Sequence, residues 1–337
     1  MAEAMRVALI GAGHLGRIHG KLLAQLPVAE LVAVVDPDEE AAAAVARKTG
    51  AKTFPDHRAL LADPQLRPEA AVLAAPTSLH HQIGCELLAA GLHCLVEKPI
   101  TKTVAEAEEL VALAGERGLA LAVGHVERYN PAMIALRPEI GEVRFIECRR
   151  VSPYPFRSTD VGVTMDVMIH DIDLILDLVG KPLVRAEACG ARIFSQSEDV
   201  ANARLVFEGG AVADVTASRV ALKAERKIRV FQSDAYMSVD LLEKKGVVYR
   251  KSAALKSGRI DPASLSPGEI GKGPLDFILK KLIEYKKLKM PKVNPIGREL
   301  EDFVAAARAG GQPPVSGAQG LAALRAAEMI LGNMTIQ

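Results

Sequence analysis

A glycine-rich loop after the first predicted strand constrains the fold more than any other feature of this chain. The segment Gly11-Ala12-Gly13-His14-Leu15-Gly16 has the pattern G-x-G-x-x-G and lies between the apolar run Arg6–Ile10 and a helical pattern near Leu15–Leu26. In such a loop, the first glycine permits a tight turn, the second lets a pyrophosphate approach the backbone, and the third lets the helix pack closely. Backbone N–H groups at the helix start can bind phosphate. The sequence therefore predicts a dinucleotide site at Gly11, Gly13, His14, Leu15 and Gly16.

Short apolar runs alternate with helical patterns through the first 125 residues. The runs are Arg6–Ile10, Leu31–Val35, Ala70–Ala75, His93–Val96 and Leu119–Val123. Strands that are apolar throughout and alternate with helices indicate a parallel sheet covered on both faces. Because 337 residues suggest two domains, we predict an α/β chain whose residues 1–124 form a doubly wound Rossmann domain that binds NAD.

The pattern changes after about Gly124. A helical stretch, Val163–Val179, precedes several strand-like runs, and Gly209-Gly210 between two of them predicts a hairpin turn. We expect residues 125–337 to form an α+β substrate-binding domain with a largely antiparallel open sheet. Residues 251–294 are expected to be irregular, with two closing helices after them, and the last helix can pack back on the Rossmann domain. The lysines between Lys280 and Lys292 indicate either an anion-binding lid or a solvated basic helix.

Polar residues follow three of the predicted strands at their carboxyl ends, where open α/β sheets bind ligands. Asp36 is suited to accept hydrogen bonds from the adenosine ribose and to repel a 2′-phosphate, which favours NAD over NADP; the alternative is a turn residue before Pro37. After the third strand, Pro76 and Thr77 are expected beside the cofactor, Ser78 is predicted to cap a helix, and His80 either lines the site or lies on the surface.

The fourth strand ends in Glu97-Lys98-Pro99, where the Lys98 ammonium can donate a hydrogen bond to a substrate hydroxyl; the alternative is a surface ion pair. In the stretch 163–179, four ionisable residues with helical spacing share one stripe. They are Asp166, His170, Asp173 and Asp177. An imidazole with a pKa near 6.5 is suited to remove an alcohol proton. The alternative is an amphipathic helix with a solvated acidic face.

In this order, the glycine loop, Ala75-Pro76-Thr77-x-x-His80 and Glu97-Lys98-Pro99 resemble the GFO/IDH/MocA oxidoreductase family. The resemblance implies that Lys98-Pro99 is cis, that Glu97 contacts the nicotinamide ribose, and that Asp166 and His170 are the third active-site element. On this basis we expect His170 to take the proton, Lys98 to hydrogen-bond the reacting oxygen and Asp166 to orient the substrate, with Lys98 as the alternative base. Residues 160–165 and Met168-Ile169 depart from the family's common pattern.

Several stretches also resemble bacterial family members that act on nucleotide sugars. The segment 124–131 is similar to the family's domain-crossing segment, and we expect substrate contacts from Arg128, Tyr129, Asn130 and Arg157. The subgroup implies oxidation of UDP-N-acetylglucosamine at C3. A diphosphate needs cations, for which Arg149, Arg150, Arg157 and Arg219 are candidates or else exposed surface arginines.

Other functions stay open at this point. A myo-inositol, polyol or free-aldose dehydrogenase would use the same catalytic residues. An NAD-dependent glycosidase or a non-catalytic NAD-binding regulator belongs to a different class.

Composition and charge bear on the binding partners and on the cell compartment of the protein. The net charge of +1 gives no reason to expect nucleic-acid or membrane binding. The chain has no apolar run of about 20 residues and no signal-peptide pattern. The four cysteines are unevenly spaced, which predicts reduced thiols and no metal site. We expect a cytoplasmic protein that, as in the family, associates as a homo-oligomer, a dimer or a tetramer.

Overall fold

The computed structural model describes residues 3–156, 161–265 and 277–336, apart from the side chains of Leu279 and Lys280. The chain divides into two compact units. Unit 1 comprises Met1–Tyr129 and Val293–Glu328, and unit 2 comprises Asn130–Lys292 and Met329–Gln337. The division expected from the sequence lay at residue 124, whereas unit 1 continues to Tyr129 and takes in part of the C-terminal region.

The described strands and helices follow the predicted alternation closely. The strands are β1 (Met5–Ile10), β2 (Ala29–Val35), β3 (Lys52–Phe54), β4 (Ala70–Leu73), β5 (His93–Val96), β6 (Leu121–Val123), β7 (Val143–Val151), β8 (Leu183–Ala191), β9 (Val200–Phe207), β10 (Val212–Ser218), β11 (Glu225–Gln232), β12 (Ala235–Asp240), β13 (Lys245–Lys251), β14 (Ile283–Lys287) and β15 (Met334–Ile336). The helices are α1 (His14–Leu23), α2 (Glu39–Thr49), α3 (His57–Leu61), α4 (His80–Ala89), α5 (Val104–Glu116), α6 (Pro131–Leu136), α7 (Ile169–Val179), α8 (Ala253–Lys256), α9 (Pro295–Ala309) and α10 (Gly317–Gly332).

Unit 1 contains a six-stranded parallel sheet in the order β3-β2-β1-β4-β5-β6. This is the strand order of a doubly wound dinucleotide-binding sheet, which confirms the predicted Rossmann fold. Both faces of β1 and β4 are buried, as the apolar runs predict. The strand order reverses between β1 and β4. Because the strands are parallel, the loops after β1, β4 and β5 all lie at the same edge of the sheet.

Helix α9 joins unit 1 because its apolar face completes the core of the sheet. Leu300, Phe303 and Val304 of α9 lie in the same buried cluster as Val7 and Leu9 of β1. Full burial of an aliphatic or aromatic side chain stabilises the fold by roughly 1.5–3 kcal/mol, so this segment contributes substantially to unit 1.

Unit 2 contains a nine-stranded sheet in the order β14-β13-β12-β11-β7-β10-β9-β8-β15. Neighbouring strands are antiparallel except for the pairs β7–β10 and β8–β15, which are parallel. The predicted α+β architecture with a largely antiparallel sheet is confirmed. Gly209-Gly210 lies at the turn that joins the antiparallel pair β9–β10, as expected.

The lysine-rich segment differs in part from the expected helix, and its role as an anion-binding lid stays a prediction. Residues 251–294 are not irregular throughout, because Ile283–Lys287 forms the edge strand β14. Lys286 and Lys287 are exposed on this strand, and the Lys286 ammonium pairs with Glu139. The expectation of a basic helix is therefore wrong for these residues. Lysines on an edge strand oppose pairing with another chain.

Among the described residues, none of the helices has both the length and the apolar composition that a bilayer crossing requires.

Candidate functional site

The glycine loop between β1 and α1 has the backbone geometry that a pyrophosphate requires. Gly11 has a φ of +98°, and a Cβ there would lie 2.6 Å from the Ala74 carbonyl oxygen. A Cβ at Gly16 would lie 1.9 Å from the Gly11 carbonyl oxygen, whereas one at Gly13 would meet nothing within 4 Å. Helix α1 begins at His14, and no side chain caps it at Gly13. The loop is therefore tightly packed at Gly11 and Gly16 and open at Gly13, which leaves space for a phosphate at the start of α1.

Asp36, directly after β2, contacts the same loop. Its Oδ2 accepts a hydrogen bond from the Ala12 N–H at 2.6 Å, and its Oδ1 accepts one from the Asp38 N–H at 2.9 Å. The carboxylate therefore connects the end of β2 to the glycine loop. Its contact with an adenosine ribose stays a prediction.

His80 is a buried connection between two loops at the carboxyl edge of the sheet. It is 1% exposed, and its ring nitrogens lie 2.9 Å from the Ala75 carbonyl oxygen and 3.0 Å from the Pro99 carbonyl oxygen. Burial lowers the pKa of His80, although the two carbonyls oppose this effect. The neutral ring donates one hydrogen bond to either carbonyl. The alternative of a surface histidine is wrong.

The predicted N-cap at Ser78 is also wrong. A 3-10 turn, Thr77–Leu79, precedes α4, which begins at His80 with Leu79 at the N-cap position and no capping side chain. Thr77 begins this turn and Pro76 lies at its N-cap position, three residues after the end of β4. Their contacts with a cofactor stay predictions.

Glu97-Lys98-Pro99 follows β5, and the Lys98-Pro99 peptide bond is cis, as the resemblance implies. Glu97 is buried, and its Oε1 lies 2.7 Å from Nε2 of the fully buried His19. A Cβ at Gly124 would lie 2.7 Å from Glu97 Oε2, so a glycine is required beside this carboxylate. Glu97 is therefore not part of a surface ion pair.

Sequence reasoning missed His19, although one signal was present. His19 follows Gly16 by one helical turn of α1, so it shares the helix face that packs on the sheet. Its hydrogen bond holds the Glu97 carboxylate in place within unit 1.

The predicted substrate residues after β6 are largely buried. Arg128 and Tyr129 lie in the 3-10 turn Val126–Tyr129 of unit 1, and burial raises the pKa of Tyr129 well above its ordinary value. Asn130 caps α6 in unit 2: its Oδ1 accepts from the Ala132 N–H and its Nδ2 donates to the Leu241 carbonyl. Arg157 lies outside the described residues. Substrate contacts of these four residues stay predictions.

In unit 2, Asp166 and His170 belong to one continuous helical segment. Residues Thr164–Met168 form a π-helical turn that leads directly into α7. Both Asp166 and His170 are partly exposed, whereas Asp173 further along is fully buried. The alternative of a solvated acidic face is therefore wrong at Asp173. A π-helical turn within a helix is frequently found at functional sites.

Two of the arginines considered for a diphosphate are held in buried ion pairs. Arg150 binds both oxygens of Asp171, with Nη2 2.7 Å from Oδ1. Arg219 is 1% exposed and its Nε lies 2.7 Å from Asp199 Oδ1. The exposed-surface interpretation is therefore wrong for these two, and both guanidinium groups are engaged by carboxylates within the protein. Arg149 is largely exposed, lies 3.9 Å from Glu225, and is on the sheet face opposite to that of Arg150.

We predict that His80 makes the stability of the protein depend on pH. The unfolded chain, in which the pKa of His80 is near 6.5, binds a proton just below that pH, whereas the buried ring does not. The free energy of unfolding should therefore fall as the pH is lowered through that range. His80→Asn keeps one donor but does not titrate. Urea unfolding should show a loss between pH 7.5 and 5.5 that is about 1 kcal/mol larger in the wild type than in His80→Asn.

The matched control for this prediction is His81→Asn on the same helix, at a partly exposed histidine that pairs with Glu109. Its pH dependence should resemble that of the wild type. Equal pH dependence in His80→Asn and the wild type would contradict the role assigned to burial.

Comparison with known proteins identifies the family. Residues 5–125 match the oxidoreductase family with an NAD-binding Rossmann fold, and residues 135–238 match the GFO/IDH/MocA C-terminal domain. The chain is 39% identical over 255 residues to UDP-N-acetylglucosamine 3-dehydrogenase of Acidithiobacillus ferrooxidans, covering 75% of this chain and 80% of that protein. A solved structure of that enzyme superposes with a TM-score of 0.85 at 34% identity, covering 98% of each chain.

More distant relatives include the NAD-dependent scyllo-inositol 2-dehydrogenase of Bacillus subtilis, which is 30% identical over 65% of this chain and 68% of that protein. The relatives are dehydrogenases, and both family domains occur here in the family's order. The chain belongs to the GFO/IDH/MocA family of NAD-binding oxidoreductases.

Proposed function

We propose that this protein oxidises the C3 hydroxyl of UDP-N-acetylglucosamine or a closely related UDP-N-acetylhexosamine. The observation that carries the proposal is the similarity to a UDP-N-acetylglucosamine 3-dehydrogenase over 98% of both chains at 34% identity. Because a fold alone does not determine function, the proposal rests on the sequence identity across both domains and not on the shared fold.

Unit 1 would bind the cofactor, for which we propose NAD rather than NADP. The Gly11–Gly16 loop would hold the pyrophosphate, Pro76 and Thr77 would lie along the cofactor, and Glu97 would hydrogen-bond the nicotinamide ribose. Asp36 would accept bonds from the adenosine ribose and repel a 2′-phosphate. When bound, NAD supplies the hydride acceptor.

Three side chains would act on the alcohol. We assign proton removal from the C3 hydroxyl to His170 as hydride leaves C3, so that a ketone forms and the imidazole carries the proton. Lys98 would donate a hydrogen bond to the reacting oxygen, which becomes the carbonyl oxygen. Asp166, one turn before His170, would orient the sugar. Lys98 is the alternative base.

Recognition of the UDP group would rest on cations that are not held in buried pairs. Arg150 and Arg219 are held in such pairs. Arg149 shares the sheet face of Phe145 on β7, opposite to the face from which Arg150 meets α7, so we do not assign it to the UDP group. We retain Arg128, Tyr129, Asn130 and Arg157 as substrate contacts. A second candidate, an inositol dehydrogenase, is favoured by the 30% identity to scyllo-inositol 2-dehydrogenase and would need fewer cations.

The cofactor and one face of the unit 2 sheet support a proposal for the compartment and the oligomeric state of the protein. A reaction that uses free NAD suits the cytoplasm. One face of the unit 2 sheet carries a row of aromatic rings whose centroids are 4.8–5.8 Å apart. The row consists of Phe145, Phe231, Tyr236, Tyr249 and Tyr285. Covering such a surface with a second copy would bury apolar area, which supports a homo-oligomer.

Asp36→Ser tests the choice of cofactor. Removing the carboxylate should remove the repulsion of the 2′-phosphate, so the ratio of kcat/KM for NAD to that for NADP should fall at least about tenfold, or about 1.4 kcal/mol. Steady-state kinetics with both cofactors measures the ratio. Asp38→Ser, two residues later, keeps a capping oxygen for α2 and should leave the ratio unchanged. An unchanged ratio in Asp36→Ser would show that another residue selects the cofactor.

Turnover with a panel of sugars tests the reaction. Purified protein with NAD should form NADH, followed by absorbance, with UDP-N-acetylglucosamine and not with myo-inositol, scyllo-inositol or free hexoses. A ketone trap is included because the oxidation is energetically unfavourable. Lys98→Ala and His170→Ala should each lower kcat/KM at least about 100-fold, since positioned acids and bases contribute about 10²–10⁴-fold.

Lys102→Ala, at an exposed lysine four residues after Lys98, is the matched control and should retain activity. Turnover with an inositol alone would replace the substrate while keeping the mechanism. Full activity of the Lys98 and His170 variants would contradict the assigned roles.

A further inference from the structure

The helical segment that carries Asp166 and His170 receives its N-terminal cap from a residue far away in the sequence. Val163, at the N-cap position, has no side chain that can accept a hydrogen bond. Instead, the Glu198 carbonyl accepts the Val163 N–H at 2.9 Å, and Glu198 Oε1 accepts the Thr164 N–H at 3.0 Å. Glu198 is 5% exposed, so both bonds are shielded from water.

Gly162 leaves the space that this cap occupies. A Cβ at Gly162 would lie 2.2 Å from each carboxylate oxygen of Glu198, so no other residue fits there without displacing the carboxylate. The Gly162 carbonyl in turn accepts the Asp166 N–H at 3.1 Å. The residues in contact with Glu198 are therefore the same ones that set the first turn around Asp166.

Glu198 is itself held by a buried ion pair next to it in the chain. Asp199 Oδ2 accepts hydrogen bonds from the N–H groups of Ile193, Phe194 and Ser195, and Asp199 Oδ1 accepts one from Arg219 Nε. Burial alone would raise the pKa of Asp199, but the backbone N–H groups and Arg219 lower it further than burial raises it. The carboxylate stays ionised, so the charge of Arg219 is compensated.

Arg219 connects this loop to the segment that precedes the helix. Its Nη1 donates to the Val161 carbonyl at 2.7 Å, and its Nη2 donates to the hydroxyls of Ser195 and Ser197. The residue directly before Gly162 and the loop that presents Glu198 are thus bound to the same guanidinium. A planar guanidinium with donors in fixed directions holds such an arrangement better than an ammonium does.

The charge of the cap also favours this position. The N-terminus of a helix carries a partial positive charge, and a carboxylate there stabilises the first turn. Capping side chains ordinarily come from the residue just before the helix. Here the carboxylate comes from 34 residues further along the chain. The first turn is therefore tied to the position of another loop.

We propose that Glu198 is a positioning residue for the oxidation, and that Arg219 and Asp199 hold it in place. Glu198 sets the first turn, which carries Asp166, and with it the direction of His170 one turn later. This inference rests on the proposed roles of Asp166 and His170. A displacement of about 1 Å in a catalytic group can cost about 10²-fold in rate, although the displaced group is chemically intact.

Glu198→Ala, Glu198→Gln and Gly162→Ala test this inference. Glu198→Ala removes the acceptor, and Gly162→Ala displaces it, so each should lower kcat about 100-fold while the KM for NAD stays unchanged. Glu198→Gln keeps an oxygen acceptor and should restore kcat to within about fivefold of the wild type. Glu187→Ala, at an exposed glutamate on β8, is the matched control and should behave as the wild type.

Hydrogen exchange supplies a readout that needs no substrate. The Val163 and Thr164 amides should exchange faster in Glu198→Ala and Gly162→Ala, and at the wild-type rate in Glu198→Gln and Glu187→Ala. Thermal unfolding identifies a variant that fails to fold. In that case, kcat of Glu198→Gln and amide exchange in the variants that do fold test the positioning role of Glu198.

The outcomes separate the two proposals. Unchanged kcat in Glu198→Ala, or a lower kcat with unchanged amide exchange, would overturn the positioning role. A wild-type protein that oxidises none of the sugars would overturn the proposed function, while faster exchange in Glu198→Ala would still support the anchoring of the helix by Glu198.

Discussion

The parallel pairing of β1 with β2 on one side and with β4 on the other is the constraint on which the cofactor half of the site depends. It brings the carboxyl ends of the strands to one edge, so that the loops after β1, β2, β4 and β5 are neighbours. The short contacts found there follow from this arrangement: Asp36 bonds to the glycine loop, and His80 lies between the carbonyls of Ala75 and Pro99. The Asp36–Ala12 bond and the His80–Pro99 bond each join segments that follow different strands.

Local sequence patterns predict most of unit 1, because its turns and helix starts depend on residues that are close together in the sequence. The glycine loop is predictable because each glycine avoids a steric clash within one strand–turn–helix unit. At Gly11 and Gly16 a Cβ would indeed clash with neighbouring backbone atoms. The capping box of Thr103 and Glu106 at the start of α5 is a local feature of the same kind, because both residues lie within one helical turn. Ser78 shows the limit of local reasoning, because a 3-10 turn moves the N-cap position of α4 by one residue, to Leu79.

The interactions that support the candidate site residues could not be predicted, since each joins distant parts of the chain. His19 meets Glu97 across 78 residues, and Arg150 meets Asp171 across 21. From the sequence, Arg150 and Arg219 could equally be exposed or bind a diphosphate, because residue type does not show which carboxylate lies opposite. Glu198 was missed because a cap contributed by another loop has no sequence signal near the helix. If one partner of such a buried ion pair is absent, the other charge is left uncompensated in the interior, which strongly destabilises the fold.

Transfer of hydride from C3 of the sugar to the cofactor is the central claim, and isotopic labelling tests it most directly. UDP-N-acetylglucosamine with deuterium at C3 would be incubated with the protein and NAD, with the ketone trapped, and the NADH would be examined by mass spectrometry. We expect one deuterium in each NADH and none in the trapped sugar. Deuterium that remains on the sugar, or that appears in water while NADH is unlabelled, would contradict the account.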